Sequence, residues 1–257
     1  MNDLALALHL ADTADRIALG RFRASDLFVE TKPDMSPVSD ADRAVEEALR
    51  NELRDHRPAD AVHGEEFGTE QGPRQWIIDP IDGTVSFVRG VPIWATLIGL
   101  REGDAITTGV VSAPALGRRW WAASSEAEPY ASHIGDGVVP LRVSGVRELS
   151  DASFGYSDTI GWDSEALDRM LRSTWRQRGY GDFWSHMMVA EGSIDVAAEP
   201  LLRIHDVAAL VPIVQAAGGR MTTYSGMGLT WDEDSIFSVV TTNGHLHDHV
   251  VQCLADH

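Results

Sequence analysis

Two aspartates follow an apolar run in the first third of the chain, within the segment W-I-I-D-P-I-D-G-T. Asp79 and Asp82 are three residues apart, and Gly83 and Thr84 come directly after them. Carboxylate oxygens are the hard ligands that Mg²⁺ prefers, and two such ions about 3.5–4 Å apart can hold the attacking and leaving oxygens of a phosphate ester. The segment therefore indicates metal-assisted phosphate chemistry, provided that both carboxylates face one cavity.

The residues around this pair favour a ligand-binding loop. Pro80 biases Asp79 toward an extended conformation, Gly83 lets the backbone turn close to a ligand, and the amides after it would bind an anion if they begin a helix. On these residues alone an ordinary acidic turn remains an alternative, since Asp, Pro and Gly are common in loops. A calcium loop is excluded because it needs carboxylates at alternate positions and a distant Glu. A phosphoaspartyl phosphatase is excluded because it needs Asp-x-Asp.

The first half of the chain has the helices and strands to hold such a loop. Apolar residues at helical spacing predict a helix over the first twenty residues, and Ser39 with Asp42 resembles a capping box at the start of a second helix. Strands are predicted at residues 75–78, 94–100, 106–111 and 119–123. The turn residues 102–104 join the middle two as a hairpin. This pattern predicts an antiparallel or mixed sheet.

The second half alternates strands with helices, which favours an α/β layer. Strands are predicted at residues 152–156, 194–198, 220–223 and 237–241, and helices at residues 164–176, 183–190, 207–217 and 246–255. The segment from Ser124 to Pro140 is rich in Gly, Pro, Ser and acidic residues, and this composition predicts a loop that links the two halves. We therefore expect an α+β N-terminal half of residues 1–145 with the metal-binding loops, and an α/β C-terminal half of residues 146–257 that completes the active site.

Composition excludes several classes of protein. The 21 basic and 39 acidic side chains give a formal charge of −18, and no Lys/Arg run offers a basic patch, so most classes of nucleic-acid binder are excluded. An anionic ligand would need bound cations. No uncharged apolar stretch reaches the roughly 18 residues of a membrane span, no signal-peptide pattern is present, and Cys253 is the only cysteine. We expect a cytoplasmic protein that binds a small-molecule phosphate ester, with no nucleic-acid or membrane partner.

Three segments together resemble the inositol monophosphatase superfamily of magnesium-dependent phosphatases. They are G-E-E at 64–66, W-I-I-D-P-I-D-G-T at 76–84, and the D-V-A-A helix from 206 that ends in A-G-G at 217–219, with T-K-P-D at 31–34 and V-S-D-A-D at 38–42 upstream. The resemblance covers nearly the whole chain, and the combination of motifs is specific. It implies a layered αβαβα sandwich, two or three Mg²⁺ ions and a homodimer.

The resemblance also implies which residues bind the ions. Glu65, Asp79 and the Ile81 carbonyl would bind a first Mg²⁺, and Asp79, Asp82 and Asp206 a second, with Glu65 sharing in a weaker third site.

Catalytic and phosphate-binding residues follow from the same resemblance. The Gly83 and Thr84 amides would hold the phosphate, and Thr84, paired with Asp42, would position and help to deprotonate the attacking water at the first metal, with no covalent phosphoenzyme. Glu65 belongs to the catalytic set as well as to the metal ligands.

Some residues depart from the family pattern or lie beside it. His205 replaces a tryptophan common in relatives, and we interpret it as a packed histidine rather than one that touches a water near the metal. Val85-Ser86 replaces a more polar pair, which leaves a non-catalytic metal-binding regulatory protein as a remote alternative. Glu66 is interpreted as a solvated loop acid. The histidines at 245, 247 and 249 are interpreted as a solvated helix face rather than a metal patch, because residues two apart diverge on a helix.

Within the superfamily, further segments resemble the actinobacterial histidinol-phosphate phosphatases of histidine biosynthesis. They are R-Q-W-I-I at 74–78, F-V-R-G-V-P at 87–92, V-S-A-P-A-L at 111–116, R-R-W-W at 118–121 and Y-G-D-F at 180–183. Histidinol phosphate carries a protonated amine and an imidazole, so its site should offer acids near the metals, and Asp182 and Glu199 are the candidates. An ion pair with Arg203 or Arg178 is the structural alternative for both acids. A phosphatase for inositol or another sugar phosphate, or for 3′-phosphoadenosine phosphate, is the alternative function.

Overall fold

The structure is a computed structural model that describes residues 1–33, 35–124, 130–133, 137–232 and 235–255. Its helices are α1 (Asp3–Arg21), α2 (Asp40–His56), α3 (Thr84–Val88), α4 (Ser164–Ser173), α5 (Asp182–Ala190), α6 (Ile204–Val207), α7 (Leu210–Ala216) and α8 (His247–Ala255). Its strands are β1 (Val29–Thr31), β2 (Pro37–Ser39), β3 (Ala61–Gly64), β4 (Gly68–Thr69), β5 (Arg74–Asp82), β6 (Ala95–Glu102), β7 (Ala105–Ala113), β8 (Arg118–Ala123), β9 (Tyr130–His133), β10 (Gly137–Pro140), β11 (Ser153–Tyr156), β12 (Arg176–Gly179), β13 (Val196–Leu202), β14 (Arg220–Thr223) and β15 (Phe237–Thr242). No helix in these described ranges is both long and apolar enough to cross a membrane.

The first sheet has eight strands in the order β10-β9-β8-β7-β6-β5-β3-β4. Its neighbours are antiparallel except for the parallel pair β3 and β5. Side chains alternate along β5, so that Trp76 and Ile78 pack into the core under α1 and α2, whereas Ile77 packs against Ile204 on the opposite face. Each face of this sheet therefore has its own helical cover.

The second sheet has five strands in the order β12-β11-β13-β15-β14, with β11 parallel to both of its neighbours. Helices α4 and α8 bury Met170 and Val250 against Phe154 and Val240, and α5 and α7 lie between this sheet and the first one. The order of layers is helices, sheet, helices, sheet, helices. This is the αβαβα sandwich that the resemblance implied.

The middle helical layer lies very close to the first sheet at two glycines. A Cβ atom on Gly109 of β7 would lie 2.1 Å from the Ala209 carbonyl oxygen, and one on Gly99 of β6 would lie 3.1 Å from the Ala208 Cβ. Small residues on both sides let the backbones meet, so the helix start after Asp206 is fixed against the strand next to β5. This contact explains the D-V-A-A pattern.

Most predicted elements are present, but strands β1 to β4 were not predicted and the bounds of several elements differ. The strand predicted at 75–78 continues through Asp82, the helix predicted to reach residue 176 ends at Ser173 and gives way to β12, and the helix predicted at 207–217 is divided into α6 and α7. Of the loop expected at 124–140, the described part forms the antiparallel pair β9 and β10, whereas residues 125–129 and 134–136 lie outside the described residues. The division near residue 145 stays a prediction.

Candidate active site

Asp79 and Asp82 lie on the same side of β5 because the strand bulges between them. In a regular strand, residues three apart point to opposite faces. Three steps of β5 lie here opposite only two steps of β6, which reverses the alternation of faces. Ile78 and Ile81 accordingly pack into one core, and the two carboxylates share the other side. The Thr96 hydroxyl holds the bulge by donating to the Pro80 carbonyl at 2.8 Å.

Gly83 turns the chain from β5 into α3. Its φ of +81° is in the left-handed region, and a Cβ atom there would lie 2.9 Å from the Ile93 carbonyl oxygen and 3.2 Å from Asp182 Oδ2. No other residue fits this position without strain. The first-turn amides of α3 have no partner within the helix and can bind an anion.

Thr84 and Asp42 meet at the start of two helices. Asp42 Oδ2 accepts hydrogen bonds from the Ser39 amide at 2.8 Å and the Ser39 hydroxyl at 2.6 Å, which is the predicted capping of α2. Its Oδ1 lies 3.3 Å from the Thr84 hydroxyl, whose single proton can be donated either to this oxygen or to the Ile81 carbonyl at 2.9 Å. Burial raises the pKa of Asp42 above its ordinary value.

A buried acid on α2 fixes the loop that carries Glu65. Glu46 accepts from the Glu66 amide at 2.7 Å and the Phe67 amide at 3.1 Å, and Arg50 balances its charge at 2.8 Å. A Cβ atom on Gly64 would lie 1.8 Å from Glu46 Oε1, so the glycine of the G-E-E motif makes room for this carboxylate.

Lys32 pairs with both acids of the G-E-E motif. Its Nζ lies 2.6 Å from Glu65 Oε1 and 2.5 Å from Glu66 Oε1. Burial opposes the charge of Lys32, but the two carboxylates raise its pKa above the ordinary value. The interpretation of Glu66 as a solvated acid is wrong, because its side chain is only 6% exposed and is paired with this ammonium.

Asp206 lies in the first turn of α6 and accepts from the Arg203 amide at 2.6 Å. On the other side of the site, the Phe183 amide at the start of α5 donates to Asp82 Oδ2 at 2.8 Å. Elements of the second half of the chain therefore hold two of the carboxylates in place.

The carboxylates form two clusters that share Asp79. In one, ligand atoms of Asp79, Asp82 and Asp206 lie within 4.8 Å of one another, and in the other, those of Glu65, Asp79 and His205 do. Burial raises the pKa values of Asp79, Asp82 and Asp206, and neighbouring carboxylates, Glu65 among them, raise them further.

This arrangement of acids fits bound cations. Asp79 Oδ1 is buried and has no hydrogen-bond partner among the described residues, a costly state for a carboxylate that lacks a bound cation. Oxygen donors in this number suit Mg²⁺.

A cavity of about 180 Å³ adjoins the clusters. The residues that line it are Asp82, Ser157, Asp182, Phe183, His186, Glu199, Leu202 and Asp206. Burial, with repulsion from nearby acids, raises the pKa of Glu199 to about 8 and that of Asp182 to about 6. Ser157 donates to Glu199 Oε2, while Glu199 Oε1 has no partner in the described part of the chain.

Four of the predicted acids, Asp82, Asp182, Glu199 and Asp206, line this cavity. The alternative of ion pairs does not hold for the described residues, because neither Asp182 nor Glu199 forms one with Arg178 or Arg203. Asp34 of the upstream motif lies outside the described residues.

Sequence reasoning did not find Glu46, Ser157 and His186. Glu46 could have been found from the sequence, because it falls on the apolar face of α2 and a buried acid needs a partner. His205 packs on His63 with ring centroids 5.9 Å apart, as the packed interpretation expects, but its place beside Glu65 and Asp79 was not foreseen.

The chain is similar to known proteins over its whole length. The model of the inositol monophosphatase family matches residues 2–257. A histidinol-phosphatase of Streptomyces coelicolor is 51% identical over 98% of this chain and 96% of its own length, and one of Mycobacterium tuberculosis is 51% identical over 97% and 96%.

Solved structures agree with these relatives. An inositol monophosphatase of Zymomonas mobilis superposes with a TM-score of 0.85 at 29% identity and covers 98% of this chain and 97% of its own. One of Thermotoga maritima gives a TM-score of 0.86 at 28% identity and covers 99% and 97%.

Proposed function

This chain belongs to the inositol monophosphatase family, and we propose from this membership that it is a metal-dependent phosphoric monoester hydrolase that converts histidinol phosphate to histidinol and phosphate. The reaction is a step of histidine biosynthesis. The main support for this substrate is the cavity beside the metal-binding acids, because Asp182 and Glu199 line it and would bind a cationic group. The 51% identity to two histidinol-phosphatases supports it. By family resemblance we also propose a cytoplasmic homodimer.

We assign the ion-binding residues as the resemblance implied. Glu65, Asp79 and the Ile81 carbonyl would hold a first Mg²⁺, and Asp79, Asp82 and Asp206 a second, with Glu65 sharing in a weaker third site. When bound, the ions neutralise the phosphate and supply a Lewis acid that makes water nucleophilic at neutral pH. The burial of these acids supports the assignment, because ions would relieve the mutual repulsion of the carboxylates.

The protein itself binds the phosphate and moves the proton. The amides of Gly83 and Thr84 at the start of α3 would bind phosphate oxygens. The Thr84 hydroxyl stands between the Ile81 carbonyl and Asp42 Oδ1, so it can take a proton from the attacking water and pass its own to Asp42. The raised pKa of Asp42 brings this carboxylate closer to the range of an effective general base.

A panel of phosphate esters tests the substrate. With Mg²⁺ present, histidinol phosphate is expected to give the highest kcat/KM, ahead of inositol 1-phosphate, a sugar phosphate and 3′-phosphoadenosine 5′-phosphate. A preference for one of the other esters would overturn the substrate and leave the family unchanged, and no turnover of any of them would favour a regulatory protein.

Asp182→Asn and Glu199→Gln are each expected to lower kcat/KM for histidinol phosphate about tenfold or more relative to glycerol phosphate. A carboxylate that faces a protonated amine in a partly desolvated cavity makes a charge-assisted hydrogen bond of about 1.5–3 kcal/mol, which a neutral alcohol does not receive. Burial raises the pKa of Glu199 to about 8, and a bound ammonium group would lower this pKa and favour the ionised form that the hydrogen bond requires.

Asp248→Asn provides the control and should leave this ratio unchanged, since it removes the same charge from a side chain that is 89% exposed and lies outside the cavity. Parallel losses on both substrates would show that Asp182 and Glu199 only maintain the structure.

A further inference from the structure

His186 lies on the cavity wall, one helical turn from Asp182. The two residues are four apart on α5 and therefore share a helix face, and both line the cavity with Glu199 and Ser157. His186 is 1% exposed. Of the cavity-lining residues that the structure describes, it alone has a ring nitrogen; the others are acids, apolar residues and Ser157.

Only one ring nitrogen of His186 has a hydrogen-bond partner among the described residues. Nδ1 lies 2.8 Å from the Thr241 hydroxyl on β15, and Nε2 is buried without a hydrogen-bond partner among the described residues. Buried polar groups are nearly always paired in folded proteins. An unpaired ring nitrogen on a side chain that lines a ligand cavity is therefore available to a group of the ligand.

His247, on α8, shows how a purely structural histidine is held against the same sheet. It is 0% exposed, and both of its nitrogens are paired at 3.0 Å, Nε2 with the Thr222 hydroxyl and Nδ1 with the Thr242 hydroxyl. The interpretation of residue 247 as part of a solvated face is thus wrong, whereas His245 and His249 are exposed as expected. His186 differs from His247 in having a single threonine partner and a position on the cavity.

The His186–Thr241 pair can adapt to a neutral ligand. A threonine hydroxyl can accept from Nδ1 or donate to it, so Nε2 can present either a lone pair or an N–H. Burial lowers the pKa of His186 to about 4, which keeps the ring neutral at physiological pH. An imidazole ring has one N–H and one lone pair, and either of them would match His186 Nε2.

We propose that His186 is a specificity-determining residue that recognises the imidazole of the substrate through a hydrogen bond to Nε2. The inference rests on the proposed function and extends it, because Asp182 and Glu199 would select the ammonium group and His186 the ring. The metal-binding acids and α3 would hold the phosphate in the same way for any ester. Removing Nε2 should therefore reduce discrimination for the ring and leave phosphate binding intact.

The test compares histidinol phosphate with 2-aminopropyl phosphate, which keeps the phosphate and the amine but has no ring. His186→Phe is expected to lower the ratio of the two kcat/KM values about tenfold or more, with most of the loss in KM for histidinol phosphate. His186→Gln, which restores a hydrogen-bonding group, should recover part of the ratio. Thr241→Val, which frees Nδ1 without entering the cavity, should lower it less.

His247→Phe is the matched control. It removes an equally buried ring that has two threonine partners, so it should lower the unfolding temperature and leave the ratio unchanged. The unfolding temperatures of all variants separate an effect on stability from an effect on recognition. If His186→Phe does not fold, the ratio measured for Thr241→Val tests the inference instead. The expected pattern is a lower ratio of the two kcat/KM values in the His186 and Thr241 variants and an unchanged ratio in His247→Phe.

Two other outcomes overturn the inference in distinguishable ways. If the unsubstituted protein prefers histidinol phosphate and the ratio survives His186→Phe, then His186 is a core residue and the inference is wrong. If the unsubstituted protein prefers another ester of the panel to histidinol phosphate, the proposed function itself is wrong and the inference falls with it.

Discussion

Asp206→Asn is expected to lower kcat more than about 100-fold, and chelation of divalent metal is expected to stop turnover. Substitution of groups that only orient metal ligands typically costs 10–100-fold, so loss of a charged ligand should cost more. Asparagine keeps an acceptor for the Arg203 amide, so the fold of α6 should survive. The measurement is steady-state hydrolysis of histidinol phosphate over a range of Mg²⁺ concentrations, with Mg²⁺ affinity from calorimetry.

Asp248→Asn removes the same unit of charge from a side chain that is 89% exposed and pairs with Arg220. It should retain kcat, which separates the loss of a ligand from a general change in net charge. A residual rate within about twofold of the unsubstituted protein in Asp206→Asn, or after chelation, would falsify the metal-ion mechanism.

Thr84→Val is expected to lower kcat about 100-fold or more while metal affinity persists. The change removes a hydroxyl that contacts Asp42 Oδ1 and the Ile81 carbonyl, and it keeps the side-chain shape and the backbone amide. General acid–base groups typically contribute 10²–10⁴-fold. Steady-state kinetics with histidinol phosphate and with glycerol phosphate should show similar losses, because the proton transfer is common to all esters.

Thr174→Val is the matched control for this change. The Thr174 hydroxyl also donates to a backbone carbonyl, that of Met170 at 2.8 Å, but it lies at the end of α4, outside the cavity. It should lower stability slightly without slowing turnover. Normal turnover by Thr84→Val would assign Thr84 a structural role at the start of α3.

The main elements of the fold were predictable because local patterns agree with the tertiary structure. Ser39 and Asp42 carry a capping signal that the structure uses at the start of α2, and the hairpin of β6 and β7 has the expected turn. β12 was missed because Arg176–Gly179 has no apolar alternation, and its strand conformation comes from pairing with β11 at the sheet edge.

Some residues of the candidate site were also predictable from the sequence, and others were not. The motif at 76–84 predicted the acids that the structure clusters, and the resemblance added Glu65 and Asp206. His186 and His247 could not be told apart in this way, since both are single histidines near apolar residues. They differ only in the partners of the ring. His247 is hydrogen-bonded to two threonines, whereas His186 is hydrogen-bonded to one threonine and lines the cavity.

The residue types of the metal site and the family were predictable from the amino-acid sequence, because the motifs at 64–66, 76–84 and 206–219 are specific in combination. How these groups meet depends on tertiary contacts. The bulge in β5 turns Asp82 to the side of Asp79, Glu46 fixes the loop of Glu65, and α5 adds the wall of the cavity. These contacts join residues far apart in the chain, and their energies depend on burial and pairing that exist only once the layers have packed.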